Sequence, residues 1–178
     1  MESDAIPPYI RLFIIAIAKC VGLVIIVPVA AAVLFSQSVM ATVALIPSML
    51  LIEYGAAPIG IALGLHPAFV LLVLSSMALG ITLCMFDIFD TIGQHSERVA
   101  QFLARSEEKV KQSTLISTYG IYGLIPCVIT LGLYVCPPVA WAFAWPRQRS
   151  IILIMGGFIA ISVILILVTL GVFSIIFH

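Results

Sequence analysis

Charge is what this sequence has least of. Only 9% of its 178 residues are charged, against about 25% in soluble domains. Lys+Arg and Asp+Glu number eight each, so no net charge remains. A neutral chain offers no clustered basic surface, which excludes nucleic acid as a partner. Hydrolytic and nucleotide-binding motifs are missing too: no G-x-S-x-G, no H-E-x-x-H, no Walker loop and no paired carboxylates in the apolar part. An enzyme is not expected, nor is a cofactor. The four cysteines, Cys20, Cys84, Cys127 and Cys136, form no C-x-x-C pair and have no histidine at zinc-ligand spacing. They read as small buried apolar residues, and no metal site is expected.

What the chain has in excess is apolar sequence. Hydrophobic residues make up 63%, against roughly 45–50% in soluble domains, and the mean hydropathy is +1.27. Disorder requires the opposite balance. The composition specifies an integral membrane protein, and the apolar stretches along it lead to an all-α, multi-pass expectation.

Three stretches are long and clean enough to cross a bilayer, which takes ~20 residues: 9–35, 67–86 and 151–177. Lys19 interrupts the first. Either it snorkels to the near surface, or residues 9–19 lie along the interface ahead of the span. Nine of the sixteen charges fall between Asp87 and Lys111. There Val99, Phe102, Leu103 and Val110 recur at helical spacing, Thr91 with Gln94 suits a capping box, and Glu107 with Lys111 is an i,i+4 pair. Residues 88–116 read either as an amphipathic helix on the cytoplasmic surface or as a solvated connector.

Two further apolar segments, 38–66 and 117–146, are studded with glycine and proline, and they resemble each other. Tyr54-Gly55-Ala-Ala-Pro58-Ile-Gly-Ile-Ala-Leu-Gly64-Leu aligns without gaps to Tyr122-Gly123-Leu-Ile-Pro126-Cys-Val-Ile-Thr130-Leu-Gly132-Leu, with seven of twelve positions identical. Interrupted apolar segments in corresponding halves point to discontinuous helices around a site at the membrane midplane. Two ordinary kinked spans are the plainer alternative, and charge placement separates the two. If both segments return to the side they started from, Arg11, Arg98, Arg105, Lys109, Lys111, Arg147 and Arg149 all fall on one side and no Lys or Arg on the other. If both cross, the basic residues divide three against four. The first arrangement obeys the positive-inside rule. It predicts three transmembrane helices, two opposed re-entrant hairpins related as an inverted repeat with tips at the Tyr-Gly-x-x-Pro turns, a cytoplasmic N-terminus and an external C-terminus.

Glu53 is the one acidic residue between Asp4 and Asp87. It directly precedes the first Tyr-Gly turn, at a depth that residues 39–52 would bring near the middle of the ~30 Å apolar core. An intramembrane carboxylate marks a functional site by default. Loss of water favours its neutral form, which suits proton exchange. Alternatively it is merely paired, with Lys19 or with free amides of the turn. Tyr54, Tyr119, Tyr122 and Thr130 are candidate hydrogen-bond donors around it, each equally suited to packing. Pro58 and Pro126, with Gly55, Gly123 and Gly132, complete the expected substrate- and proton-binding site at the hairpin tips. His66 falls at the expected outer mouth. Trp141 and Trp145 read as an interfacial belt, Asp87 and Asp90 as helix-end solvation, and Arg147 and Arg149 as positive-inside charge able to attract an anionic headgroup.

The run Glu53-Tyr-Gly-Ala-Ala-Pro58-Ile-Gly-Ile-Ala-Leu-Gly-Leu, after Ile46-Pro47, resembles the E-L-R-G-A-I-P segment of the small multidrug export protein family. The run from Lys109 through Tyr119-Gly120, Tyr122-Gly123-Leu124, Pro126 and Ala140 to Gly156-Gly157 resembles that family's C-terminal half. The resemblance covers residues 35–172. It implies kinship with the DedA-like (VTT) membrane proteins, their two opposed re-entrant hairpins, and lipid or carrier-lipid translocation with proton dependence. Two features depart from the family pattern: no arginine follows Glu53, and Pro126-Cys-Val-Ile-Thr130 replaces a P-x-P-G-T-G turn. The resulting expectation is a homo-oligomeric carrier of the plasma (inner) membrane. It would move a membrane lipid or a small amphipathic substrate, in the manner of a flippase. The rival is a non-transporting scaffold or accessory subunit of a larger membrane complex.

Overall fold

The computed structural model describes residues 8–95, 120–143 and 145–176, and every regular element among them is helical. Helix α1 (Pro8–Val21), a π-turn (Gly22–Ile26) and α2 (Val27–Leu34) follow one another without a break. Residues 9–19 therefore continue the first span and are not a separate interfacial segment. Ser38 then caps α3 (Val39–Ile52), its hydroxyl accepting the Ala41 N–H at 3.3 Å. A 3-10 turn (Glu53–Gly55) leads into α4 (Ala56–Ala62). Helix α5 (Pro67–His95) begins at a proline, suited to a first helical position, with the His66 ring accepting the Ala68 N–H at 3.3 Å. A second 3-10 turn (Gly120–Gly123) opens α6 (Leu124–Leu131). Helix α7 (Cys136–Ala142) starts at Pro137-Pro138, and α8 (Arg147–Ile176) completes the described chain.

Four helical stretches are long and apolar enough to cross a membrane by length and composition: Arg11–Leu34, Val39–Ala62, Pro67–Thr91 and Arg147–Gly171. Their outward surfaces agree with lipid: Leu34, Met40 and Leu51 are each more than 80% exposed. Side chains of this size left uncovered in such number are at home only in an apolar medium.

Helix α5 is the centre of the molecule, with Val70, Val73, Leu74 and Met77 fully buried. The first span lies antiparallel to it. Lys19 pairs with Asp87, the Ser76 hydroxyl donates to the Leu23 carbonyl, and the Phe35 and Phe69 rings meet at 6.3 Å. The start of α8 joins the same end, where Arg147 pairs with Asp87 and with Asp90. Asp87 lies twenty residues beyond Pro67, a rise of ~30 Å. One end of the bundle is thus ionic and the other, at Phe35 and His66, carries no charged side chain among the described residues.

Residues 38–66 begin and end at that uncharged end. The Gln37 side chain accepts the His66 N–H at 3.2 Å. Gly60 of α4 faces Leu45 of α3, a Cβ there falling 3.3 Å from a Leu45 methyl. In a straight helix those residues would stand ~22 Å apart, so α4 doubles back along α3.

Several boundaries differ from expectation. The span 67–86 extends to His95, which takes residues 88–95 out of the amphipathic segment; 96–116 lie outside the described residues. Thr91 is inside this helix, not at a cap, its hydroxyl donating to the Asp87 carbonyl. The last span starts at Arg147 rather than 151. Lys19 does not snorkel away alone but pairs with Asp87.

The largest correction concerns the second broken segment. Its turn is not at Gly123 and Pro126. Helix α6 runs beside α8, Gly157 lying against the Ile125 carbonyl and Val128. The chain reverses over 132–135, and α7 returns to bring Trp141 against Phe89 near the ionic end. Pro58 and Pro126 both lie in the first turn of a helix rather than in an unwound tip. The reason is general: proline has no N–H for the carbonyl four residues earlier and its ring clashes with that carbonyl. Proline does not forbid a helix outright, since Pro47 lies inside α3, but at Pro58 and at Pro126 the chain breaks four residues ahead, at Tyr54 and Tyr122. A fresh helix starts in between, after the 3-10 turn.

The two copies nonetheless share a local pattern. Each copy is a 3-10 turn, a helix with proline third, and a glycine at positive φ, Gly64 at +79° and Gly132 at +88°. The copies play different parts. Glycine 64 ends α4 at the uncharged end, whereas Gly132 lies in the interior turn.

Candidate functional site

Two broken helix ends meet midway along the bundle on a partly exposed side, Glu53, Tyr54 and Tyr134 being half-buried and Leu50 and Ile129 exposed. Helix α3 stops because Glu53 takes φ +55°, ψ −125°, a backbone region that disfavours any side chain. Helix α6 stops because Gly132 takes φ +88°, ψ 174°. A helix that stops leaves carbonyls and amides without partners, and a buried one costs about 1–3 kcal/mol.

Each end is completed by the other. Beyond Gly132 the Leu133 N–H has left the helix, and it donates to Glu53 Oε2 at 2.6 Å. The carbonyl that this amide would have served, Ile129 O, receives the Tyr54 hydroxyl at 3.1 Å. At the end of α3, Leu50 O receives the Tyr134 hydroxyl at 2.8 Å. Tyrosines from the two breaks thus cross reciprocally, and one carboxylate closes the junction. Gly132 makes room for it: a Cβ on this residue would stand 2.5 Å from Glu53 Oε2 and 2.7 Å from Oε1. A bare α-carbon is required there twice over, by φ and by the carboxylate.

The depth of the junction follows from α8. The Tyr54 ring meets Phe158 edge-on at 6.4 Å. Phe158 is eleven residues past Arg147, ~16 Å along the helix. The junction lies about halfway between the ionic end and the uncharged one.

Of the residues expected at the site, the structure brings Glu53, Tyr54 and Gly132 together. Gly55 closes the first 3-10 turn, where a Cβ would meet an Ile52 methyl at 2.5 Å. Pro58 lies in α4 just beyond. Thr130 is on α6 near the junction, but its hydroxyl donates to the Pro126 carbonyl of its own helix at 2.8 Å. Tyr122 and Gly123 stand at the start of α6, away from the junction, and Tyr122 is 70% exposed. Tyr119 lies outside the described residues. Glu53 is not paired with Lys19.

Sequence reasoning missed Tyr134 and Leu133. Tyr134 stands two residues past Gly132 and had no counterpart in the repeat, where Leu65-His66 follow Gly64. It also missed the thiol pairs. Cys84 lies near Cys20 between α5 and α1, and Cys136 near Cys127 across the 132–135 turn, all four thiols being free and that of Cys136 donating to the Gly132 carbonyl at 3.3 Å.

A separate ionic cluster closes the other level. Asp87 receives both Lys19, at 3.4 Å, and Arg147; Asp90 receives Arg147 at 3.0 Å. The Arg147 guanidinium also lies over the Phe86 ring, 5.8 Å from its centre. Lys19, Asp87, Asp90 and Arg147, with Leu12, Ile15 and Thr91, line a cavity of about 200 Å³. Among the described residues no group of three or more His, Cys, Asp or Glu side chains converges as a metal site would require.

The chain matches no protein-family model, and comparison with curated proteins and with solved structures finds no match.

Proposed function

We propose that the protein is a small carrier that moves a lipid or small amphipathic solute across the bilayer. In this reading the spans are Arg11–Leu34, Pro67–Thr91 and Arg147–Gly171. The arms α3–α4 and α6–α7 are re-entrant hairpins, entering from opposite faces and touching at mid-depth. The N-terminus is cytoplasmic in a plasma (inner) membrane, and the carrier works as a homo-oligomer. The opposed-hairpin plan is the one implied by the resemblance to the small multidrug export and DedA-like proteins. The inverted relation then holds between the hairpins as shapes, α3–turn–α4 against α6–turn–α7, and not between the two copies of the sequence repeat.

The observation that carries the reading is the Glu53–Leu133 bond at the junction of two broken helices. Irregular backbone at this depth persists only where protein or a water-filled cavity covers it. Here the cover is the opposite hairpin, held by one ionisable group. Ionised Glu53 is an acceptor at both oxygens. Protonation turns one oxygen into a donor and weakens its hold on the Leu133 amide. Proton uptake then loosens the junction, and the hairpins part to let an amphipathic molecule pass. The backbone strain retained at Glu53 agrees with this, since such strain collects at switch and binding positions.

The test is lipid and solute movement in proteoliposomes across a range of pH. Glu53→Gln keeps the shape of the acid and stays neutral. It is expected to fold, with helical content and unfolding midpoint close to wild type, and to lose pH dependence. Glu53→Asp is expected to retain part of it. A Gln variant with the wild-type pH profile would make Glu53 a structural cap. Purified wild-type protein that moves nothing, and that co-purifies with fixed partners, would support the scaffold or accessory-subunit reading.

A further inference from the structure

Arg147 and Arg149 stand two residues apart on the first turn of α8, in opposite electrostatic situations. Arg147 is held by Asp87 and Asp90. Arg149 is exposed, and no carboxylate among the described residues pairs with it. It lines a cavity of about 430 Å³ whose other walls are Ile121, Tyr122, Ile152 and Leu153. The Tyr122 hydroxyl has no hydrogen-bond partner among the described residues. One wall thus presents a guanidinium and a phenol; the rest is aliphatic, with Ile152 itself 70% exposed.

We infer that this cavity binds the phosphate headgroup of an anionic lipid. Arg149 supplies the planar fork that fits two phosphate oxygens, and Tyr122 supplies a second donor. The start of an acyl chain runs over Ile152 and Leu153. Three features select this occupant. The cavity amounts to about fourteen water volumes at ~30 Å³ each, room for a headgroup rather than a lone ion. Its other walls are apolar, so a free inorganic oxyanion would meet only Arg149 and Tyr122, whereas a lipid also gains the aliphatic contact. Finally, no carboxylate among the described residues lines it. The ammonium of a zwitterionic headgroup would find no counter-charge, so a headgroup of net negative charge fits and a zwitterionic one does not. The level agrees as well, since Arg149 stands at the ionic end, where headgroups lie. The inference does not depend on the carrier reading and would hold equally for a scaffold.

The test uses the full chain in neutral detergent, with lipid retention read by native mass spectrometry. Phosphatidylglycerol and phosphatidylcholine are offered in separate titrations, with inorganic phosphate as competitor. Wild type is expected to retain phosphatidylglycerol over phosphatidylcholine, and phosphate is expected not to displace it. Arg149→Gln is expected to weaken phosphatidylglycerol about tenfold, the loss of one charge-assisted contact, and to leave phosphatidylcholine unchanged. Tyr122→Phe should weaken it by a smaller factor. Arg149 is exposed, so its variant should keep the wild-type unfolding midpoint, which separates loss of a site from loss of fold. Unchanged phosphatidylglycerol retention in Arg149→Gln overturns the site. Equal retention of the two lipids overturns the selectivity, and displacement by millimolar phosphate overturns the lipid in favour of a free oxyanion. Transport that fails in Glu53→Gln while lipid retention persists would leave this inference standing.

Discussion

The carboxylate of Glu53 occupies the space that a side chain on Gly132 would need. Gly132→Ala is therefore expected to cost about 3 kcal/mol or more, from the positive φ and the overlap together. Gly64→Ala is the control. It shares the positive φ but has open space around it, and should cost about 1–2 kcal/mol. Unfolding midpoints of the two variants in the same detergent measure the difference. Adding Glu53→Ala to Gly132→Ala should recover part of the loss, because the overlap disappears.

Tyr54 and Tyr134 complete each other's helix ends. Tyr54→Phe and Tyr134→Phe should each destabilise by about 1–3 kcal/mol, the cost of a carbonyl left without a donor. The double variant should lose less than the sum if the two bonds hold one junction, and a double-mutant cycle reads this directly. Strict additivity would mean that the two breaks are independent.

Asp87 is the acceptor shared by two cations. Lys19→Met should be nearly neutral, below about 1 kcal/mol, because Lys19 is more than half exposed and its pair is long. Asp87→Asn strands Lys19 and leaves Arg147 with Asp90 alone, and should cost more, about 1–3 kcal/mol. Chemical unfolding at low and high salt checks the order, with the Lys19 effect shrinking in salt.

Ser162 is fully buried on α8, and its hydroxyl has no hydrogen-bond partner among the described residues. Ser162→Ala removes an uncompensated polar group and little volume. It should raise stability by about 1 kcal/mol. A fall in the unfolding midpoint would mean that the hydroxyl is used in the membrane.

Orientation can be read with single cysteines in a cysteine-free background. At Ser38 and His178 they should react with an impermeant thiol reagent added outside intact cells, and at Gln101 they should not. External labelling at Gln101 would overturn the cytoplasmic placement of the charged segment.

The sequence carried more of the helix starts than of the turns. Tyr-Gly-x-x-Pro reports where α4 and α6 begin, because proline's missing N–H acts on its own neighbours. Glu53 was legible because a lone acid in apolar sequence is conspicuous. The interior turn at Gly132 was not. The same Leu-Gly-Leu closes α4 at Gly64, and what distinguishes the two glycines is a carboxylate nearly eighty residues away. Lys19 with Asp87, and Cys20 with Cys84, were hidden for the same reason: each pair is made by the antiparallel packing of two helices, which no local spacing encodes.

The π-turn at Gly22–Ile26 has a consequence for register. A π-turn places one residue more in a helix than its hydrogen-bonded path requires, and a residue corresponds to about 100° of rotation. Here that extra residue stands between the two contacts that fix the first helix to α5, Lys19 with Asp87 on one side and Phe35 with Phe69 on the other. It acts as a phase shifter, letting both ends face the same neighbour. Deleting one residue within 22–26 removes the residue that the path does not require and should give a regular helix with both contacts kept, whereas a regular helix of the present length would turn residues 8–21 by about 100° against the rest. Lys19 would then swing off Asp87, with no side chain at the junction of the two hairpins altered.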